Sequence, residues 1–405
     1  MRLGSNILVV QETDWIENLP LQSHHIMESL SKRGHTVRVV DYEAKPTFRE
    51  ITGSMRQRTF PNCHRTDSNS SVSVIRPGSI KLPGMGRLSS ALGQFRTIFE
   101  NVARWCDVIV LYAVPTNGLQ TVFASKLLAK PVVFHSFDIL HRMTNHSFLR
   151  PPTWALERFV YSRADKVVVI SAALGRYMEG IGVPQEDIVL LPPAVNTERF
   201  NPSVSGEKAR NELGITPKER VVLFSGWLYE FSGLDLILES LGEVLKQVPE
   251  VSVVICGDGP LKVKLLQLRR DLGLERYVKI LARRPYDEMP SIVASADICI
   301  NPYLPDIRSN FAFPSKIAEY MAAGKAVLAT DLPGTRSLLP SGSGVSLVPF
   351  SKFPEALIQL LLDDDRRVQA GEAAQRHCMR NFSLPTVTDR FENLLVELVS
   401  EWQYE

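Results

Sequence analysis

Short runs of consecutive apolar, mostly β-branched residues recur along the chain, separated by stretches of amphipathic character. Ile7 to Val10, Val37 to Val40, Val72 to Ile75, Val108 to Leu111, Val132 to Phe134, Lys166 to Ile170 and Ile188 to Leu191 form a first series. None alternates strictly with polar residues, which is the pattern of parallel strands buried on both faces. A second series follows at Val221 to Phe224, Val251 to Cys256, Val278 to Leu281, Ile298 to Ile300, Ala326 to Ala329 and Val345 to Val348. After its first member, Leu234, Ile237, Leu238, Leu241 and Leu245 fall on one face at three- and four-residue steps, predicting a helix. Such alternation predicts an α/β protein of two doubly wound, Rossmann-like units with parallel sheets. Residues 196–218 are polar and carry no strand pattern, so a linker and hinge are expected there. The expected division is 1–197, 198–382 and a terminal helix in 383–405, striped by Val387, Phe391, Leu394, Leu395 and Leu398.

Composition narrows the possible partners. A 405-residue chain with 44% hydrophobic residues supports two cores, and a net charge of +2 gives no footprint for nucleic acid. The charge is uneven, however. Residues 45–104 hold ten cations (Lys45, Arg49, Arg56, Arg58, Arg65, Arg76, Lys81, Arg87, Arg96 and Arg104) against Glu50, Asp67 and Glu100. This basic region is either a solvated face or a contact for an anionic acceptor or a membrane surface. Its Ser-, Asn- and Asp-rich middle, Arg65 to Ser71, reads as a mobile loop. The five cysteines lack metal-ligand spacing and read as free thiols. The first apolar run is too short for a signal peptide, and no run approaches the roughly 20 residues of a membrane span. A cytoplasmic protein is expected, with peripheral contact to the inner membrane face as an option.

Candidate chemistry concentrates in the second half. VVLFSGWLYEFSGLDLIL, VSVVICGDGPLKVKLL and INPYLPDIRSNFAFPSKIAEYMAAGKAVLATDLPG each read as strand, Gly-containing turn, then helix. At the carboxyl edge of a parallel sheet such turns present N–H groups to phosphate oxygens. In the third, Glu319 stands one turn into a helix starting near Pro314 and Ser315. A carboxylate there can accept from a ribose diol, while Lys316 and the helix N-terminus offer positive potential to a diphosphate. A surface Glu and Lys on an amphipathic helix would show the same spacing.

These segments resemble the retaining GT-B glycosyltransferases of family 4. EYMAAGKAVLATDLPG is similar to the family's second-glutamate helix and following strand, and ICGDGPL to its Gly-Asp-Gly-Pro turn. ADKVVVIS with VLLPPAVNTERFNP resembles the end of its first domain, and KRGHTVRVVD the second strand of that domain. The likeness is colinear over nearly the whole chain. It implies two Rossmann-like domains facing across a cleft, with the donor site in the C-terminal domain, the acceptor site in the N-terminal one, and the last helix packing back on the latter. A nucleotide-sugar donor is implied, with no metal and no further cofactor, because side-chain cations and helix amides neutralise the leaving diphosphate. Glu319, Lys316, Ser225, Gly226, Gly257, Asp258, Gly259 and Arg284 would bind the donor nucleotide, and Phe311, Ala312 and Phe313 would flank the donor sugar.

The chain departs from the family at three points. The usual Gly-Arg reads Gly226-Trp227, the usual Lys-Gly reads Ser232-Gly233, and the first of two glutamates falls on Phe311. Arg308 and Lys316 are the nearest replacement cations. In the N-terminal domain, PVVFHSFDILHR brings His135 and Asp138 to a strand end, where the resemblance implies contact with the transferred sugar; His141 is an equal candidate. Glu12, Asp14, Trp15, Gln22 and His25 are expected to line the acceptor pocket, with the Trp15 face as a sugar platform. The expected activity is transfer of a hexose-type sugar to a glycan or lipid-linked acceptor. The alternative from another class is a catalytically silent GT-B subunit that binds a nucleotide or glycan.

Overall fold

The computed structural model describes residues 4–17, 20–42, 57–78, 86–112, 117–143 and 147–404. The chain divides into two compact units, Met1–Leu191 with Val387–Glu405, and Pro192–Thr386. In the first unit, β1 (Asn6–Val10), β2 (Thr36–Val40), β3 (Arg58–Cys63), β4 (Val72–Arg76), β5 (Val108–Leu111), β6 (Val132–Ser136), β7 (Lys166–Val169) and β8 (Ile188–Leu190) form one sheet. Its order is β3-β4-β2-β1-β5-β6-β7-β8. Neighbours are parallel except β3 against β4. The strand order reverses between β1 and β5, so the carboxyl ends of these strands border a crevice of the kind that takes ligands.

Strand β3 lies outside the expected series, and the loop Arg65–Ser71 after it begins with a hydrogen-bonded turn. RTFPNC has no apolar run, and Pro61 is tolerated because β3 is an edge strand. The turn is held by Glu28, a fully buried carboxylate on the helix Gln22–Lys32. Glu28 accepts from the amides of Arg65, Thr66 and Asp67 at 2.7–3.0 Å and from the Thr66 hydroxyl at 2.7 Å. A buried carboxylate must be satisfied by donors, and here backbone donors supply them, which fixes the turn.

The second unit holds β9 (Arg220–Ser225), β10 (Val251–Cys256), β11 (Val278–Leu281), β12 (Ile298–Asn301), β13 (Ala326–Thr330) and β14 (Val345–Val348). They lie in the order β11-β10-β9-β12-β13-β14, all parallel. Along β9, Val222 and Phe224 enter one apolar cluster while Val221 and Leu223 enter the other, so the strand is buried on both faces as its composition predicts. Pairing between β9 and β12 ends at Cys299 opposite Leu223, so the last residues of both strands part and open a crevice at the switch point.

The segment 196–218 is not a free linker. Phe200 and Ile215 are buried in the core of the second unit, and Arg210, on the helix Glu207–Glu212, pairs with Asp297 at 2.8 Å. Its polar residues cap turns, as Asn196 does for Glu198 and Arg199, which explains why composition alone suggests a spacer. The terminal helix Leu384–Tyr404 buries Val387, Phe391, Leu395 and Leu398. Arg33 reaches its Asp389 and Glu392, and the His35 Nε2 lies 3.1 Å from Glu392. No helix among the described residues is long and apolar enough to cross a membrane.

Candidate active site

The second unit brings its glycine turns into contact at the carboxyl edge of the sheet. β9 ends at Ser225, whose amide donates to the Tyr320 hydroxyl at 2.8 Å. The Gly226 amide then donates to the Cys256 carbonyl at 2.9 Å, and the Leu228 amide to the Asp258 carbonyl at 2.8 Å. A β-carbon on Gly257 would lie 1.9 Å from the Gly226 carbonyl oxygen, and Gly226 itself has φ +129°. Only glycine allows these two turns to approach so closely.

Lys316 enters this junction from the first turn of the helix Ser315–Ala322. Its ammonium donates to the Tyr303 hydroxyl at 2.9 Å and sits 3.9 Å from the centre of the Phe224 ring. Burial makes the charged form costly and lowers the Lys316 pKa to about 7. One turn on, Glu319 keeps part of its surface accessible, yet burial lifts its carboxyl to about 7, against the pull of Lys316. A cation, a carboxylate, glycine turns and a helix N-terminus thus converge on one crevice. An anion bound there would restore the full charge of Lys316. Sequence reading missed Tyr303 and Tyr320, which orient Lys316 and Ser225; only the adjacency of Tyr320 to Glu319 hinted at a role.

The other expected donor residues sit differently. Arg308 is partly neutralised by Asp306 at 2.9 Å and stacks its guanidinium 4.4 Å from the Phe231 ring centre. Arg284 is exposed, with Glu288 at 3.5 Å. The Asp258 carboxylate is exposed and accepts from the Gly259 amide at 2.9 Å. Phe311 and Ala312 are half-buried, and their backbone lies against Gly334, where a β-carbon would meet the Ala312 carbonyl oxygen at 2.3 Å. Phe313 is a core residue packed on Phe382, so its ring is not offered to a sugar as expected. Trp227 is exposed, while Ser232 is buried and donates to the Tyr229 carbonyl.

In the first unit, His135 lies on β6 near its carboxyl end, buried among Tyr112, Phe137 and Phe391. Its Nδ1 is 3.3 Å from the Tyr112 hydroxyl, and its buried Nε2 has no hydrogen-bond partner among the described residues. Burial lowers its pKa to about 3, so the imidazole is neutral and can exchange a hydrogen bond but not supply a charge. Asp138 is half-buried on the following turn, and its carbonyl accepts from the Ser136 hydroxyl. His141 is held by the fully buried Glu157 through its amide and Nδ1, both at 2.7 Å. It lines a groove of about 300 Å³ with Arg142, Arg150, Trp154 and Tyr177.

The expected acceptor set is corrected in part. Trp15 is 0% exposed and stacks on His24 with ring centres 4.0 Å apart, so it serves the core and offers no open platform. Asp14 is buried and joins Asp41 around Arg76, at 2.6 and 3.0 Å, in a network that fixes the first loop. His25 is buried as well, and only Glu12 and Gln22 keep intermediate exposure. Of the basic region, Lys45, Arg49, Arg56, Lys81 and the Arg87 side chain lie outside the described residues; Arg76 is buried and Arg96 pairs with Glu100.

Comparison with known proteins bears on the family and the fold. A family model described as glycosyl transferases group 1 matches residues 205–377, and one described as a glycosyl transferase 4-like domain matches 21–194. A D-inositol 3-phosphate glycosyltransferase of Corynebacterium aurimucosum is 31% identical over 256 residues, 60% of this chain and 59% of the relative. The chain thus matches less than two thirds of that relative's length. A Corynebacterium glutamicum GDP-mannose-dependent monoacylated alpha-(1-6)-phosphatidylinositol monomannoside mannosyltransferase is 26% identical over 352 residues, 82% of this chain and 86% of the relative. Among solved structures, Anabaena HepE in complex with UDP-glucose superimposes with TM-score 0.74 at 20% identity, over 97% of this chain and 100% of that one. A glycosyltransferase from Rickettsia africae does so with TM-score 0.75 at 17% identity, over 98% and 99%.

Proposed function

Since the chain belongs to the group 1 glycosyl transferases and has their GT-B fold, we propose that it moves a hexose-type sugar from a nucleotide diphosphate to a glycan or lipid-linked acceptor. The observation that carries this reading is the Lys316–Glu319 pair on one helix turn, with Lys316 packed against Gly226 at the carboxyl edge of the second sheet. Glu319 accepts from the ribose diol. Lys316 and the amides of the helix N-terminus hold the diphosphate, without a metal or other cofactor.

Transfer proceeds with retention. The anomeric carbon–phosphate oxygen bond breaks while the acceptor oxygen bonds to the same face, and the departing phosphate oxygen takes the acceptor proton. Neutral His135 hydrogen-bonds the sugar through Nε2 and stabilises its position rather than removing a proton. The His141–Tyr177 groove, with Arg142 and Arg150, suits a negatively charged acceptor better than the buried Asp14–Trp15 region. The relatives' names make UDP- and GDP-linked sugars the first donors to try.

A second reading, a silent nucleotide-binding subunit, is favoured by one observation: Trp227 and Ser232 stand where the resembling enzymes carry Arg and Lys. Purified protein incubated with UDP-, GDP-, ADP- and dTDP-sugars should release nucleoside diphosphate slowly from one of them. Binding with no release over long incubation would favour the silent subunit.

A further inference from the structure

The fold finds a partner for every tryptophan except Trp227. Of the five in the chain, Trp15 is buried against His24, while Trp105, Trp154 and Trp402 carry the cations of Arg38, Arg158 and Lys126 over their rings at 4.0, 5.8 and 5.3 Å. The Trp227 side chain is 50% exposed, enters neither apolar cluster of the second unit, and has no hydrogen bond or ring contact among the described residues. Single exposed apolar side chains are ordinary on protein surfaces. This one is set apart by where it stands and how firmly its backbone is held.

Both neighbours of Trp227 are pinned. The Gly226 amide donates to the Cys256 carbonyl at 2.9 Å, the Leu228 amide to the Asp258 carbonyl at 2.8 Å, and the Leu228 carbonyl accepts from the Leu261 amide at 3.1 Å. Leu228 is fully buried, and a β-carbon on Gly259 would stand 2.5 Å from its carbonyl oxygen. A tight turn therefore carries the indole at the carboxyl edge of β9, the edge at which open parallel sheets bind ligands. The residue before it, Gly226, is the one that touches the Lys316 ammonium.

The order of groups along the crevice selects the ligand, on the reading of Lys316 and Glu319 given above. With its ribose on Glu319 and its diphosphate on Lys316, a nucleotide sugar continues past the ammonium to its hexose, and the residues against the ammonium are Gly226 and then Trp227. A hexose ring turns slightly positive C–H groups outward, and the electron-rich face of an indole attracts them. The arginine that resembling enzymes carry at this place would instead aim a charge at phosphate. We propose that Trp227 is the platform on which the transferred hexose rests, the role that the buried Trp15 does not fill.

Calorimetric titration of the full-length protein with UDP-glucose and GDP-mannose, and with UDP and GDP as their sugar-free counterparts, tests this. Trp227→Ala should weaken binding of at least one nucleotide sugar by about tenfold and leave the matching free nucleotide within about twofold, which also shows that the variant folds. Trp227→Phe should recover most of the loss. Intrinsic fluorescence should change when that nucleotide sugar is added to the wild type, and the change should be absent in Trp227→Phe. An affinity for the nucleotide sugar that Trp227→Ala leaves unchanged would overturn the proposal. So would an equal loss for nucleotide and nucleotide sugar, since the indole would then meet the base or the phosphates. Binding of none of the four would defeat the reading of Lys316 and Glu319 itself, and the platform with it.

Discussion

Lys316 lies against Gly226 so closely that a β-carbon on the glycine would stand 2.9 Å from both Nζ and Cε. The mobile end of the lysine is what a larger residue would displace, so Gly226→Ala should act mainly on binding. The φ of +129° adds strain to any L side chain, about 1–3 kcal/mol. Calorimetric titration with UDP and GDP should show donor nucleotide affinity lowered about tenfold, matching 1.4 kcal/mol of lost contact. Unchanged affinity would mean that Lys316 does not touch the nucleotide.

The pH dependence of binding follows from the same pair. Lys316 must keep its proton to hold a diphosphate and Glu319 must lose its own to accept from a ribose, and burial brings both pKa values to about 7. Nucleotide affinity should therefore peak near neutrality. Lys316→Met should remove the alkaline limb and Glu319→Gln the acid limb.

Ligand-free stability has the opposite shape. Between about 7 and the ordinary 10.5, the unfolded chain holds a lysine proton that the native state lacks, so this group makes stability rise with pH. Between 4.5 and about 7, the native state holds a glutamate proton that the unfolded chain lacks, so stability falls as pH rises. Melting curves of wild type and the two variants across this range separate the contributions.

His135 is predicted to act uncharged. Its pKa near 3 lies far below the working range, so the profile of turnover from pH 5 to pH 9 should contain no limb that His135→Asn removes. Turnover itself should fall in His135→Ala by about 10²–10³, the usual cost of losing a positioned hydrogen bond at a reacting centre. A lost acid limb in the Asn variant would show that the imidazole titrates instead.

Arg76 neutralises two buried carboxylates, Asp14 and Asp41. Burial alone pushes Asp41 up, and the guanidinium pulls it back. Arg76→Met removes the only cation in this described network and should destabilise the first unit by about 3–5 kcal/mol. Scanning calorimetry should show one transition moving down while that of the second unit stays in place.

The strands were legible because parallel strands buried on both faces read as apolar runs: those of β9 to β14 fall within two residues of the expected positions. Strand β3 was not, since its half-exposed edge and Pro61 leave no run. The roles of Glu28, Asp14 and Trp15 were hidden for another reason. Each is set by a partner many residues away, as Glu28 is by the amides of 65–67. A helical Glu, or an Asp and a Trp in the loop after a strand, look the same in sequence whether they face a ligand or the core. In the second unit, by contrast, the approach of Gly226, Gly257 and Lys316 was legible, because backbone approach and helix position are encoded locally.

The proposed activity requires the second unit to hold a nucleotide sugar through the turn at Lys316 and Glu319. Melting temperatures of wild type and Glu319→Ala, each with UDP-, GDP-, ADP- and dTDP-sugars, test this most directly, because a ligand that binds only the native state raises its stability. At least one donor should raise the melting temperature of the wild type, and that shift should vanish in Glu319→Ala. No shift with any donor, or an equal shift in both proteins, would contradict it.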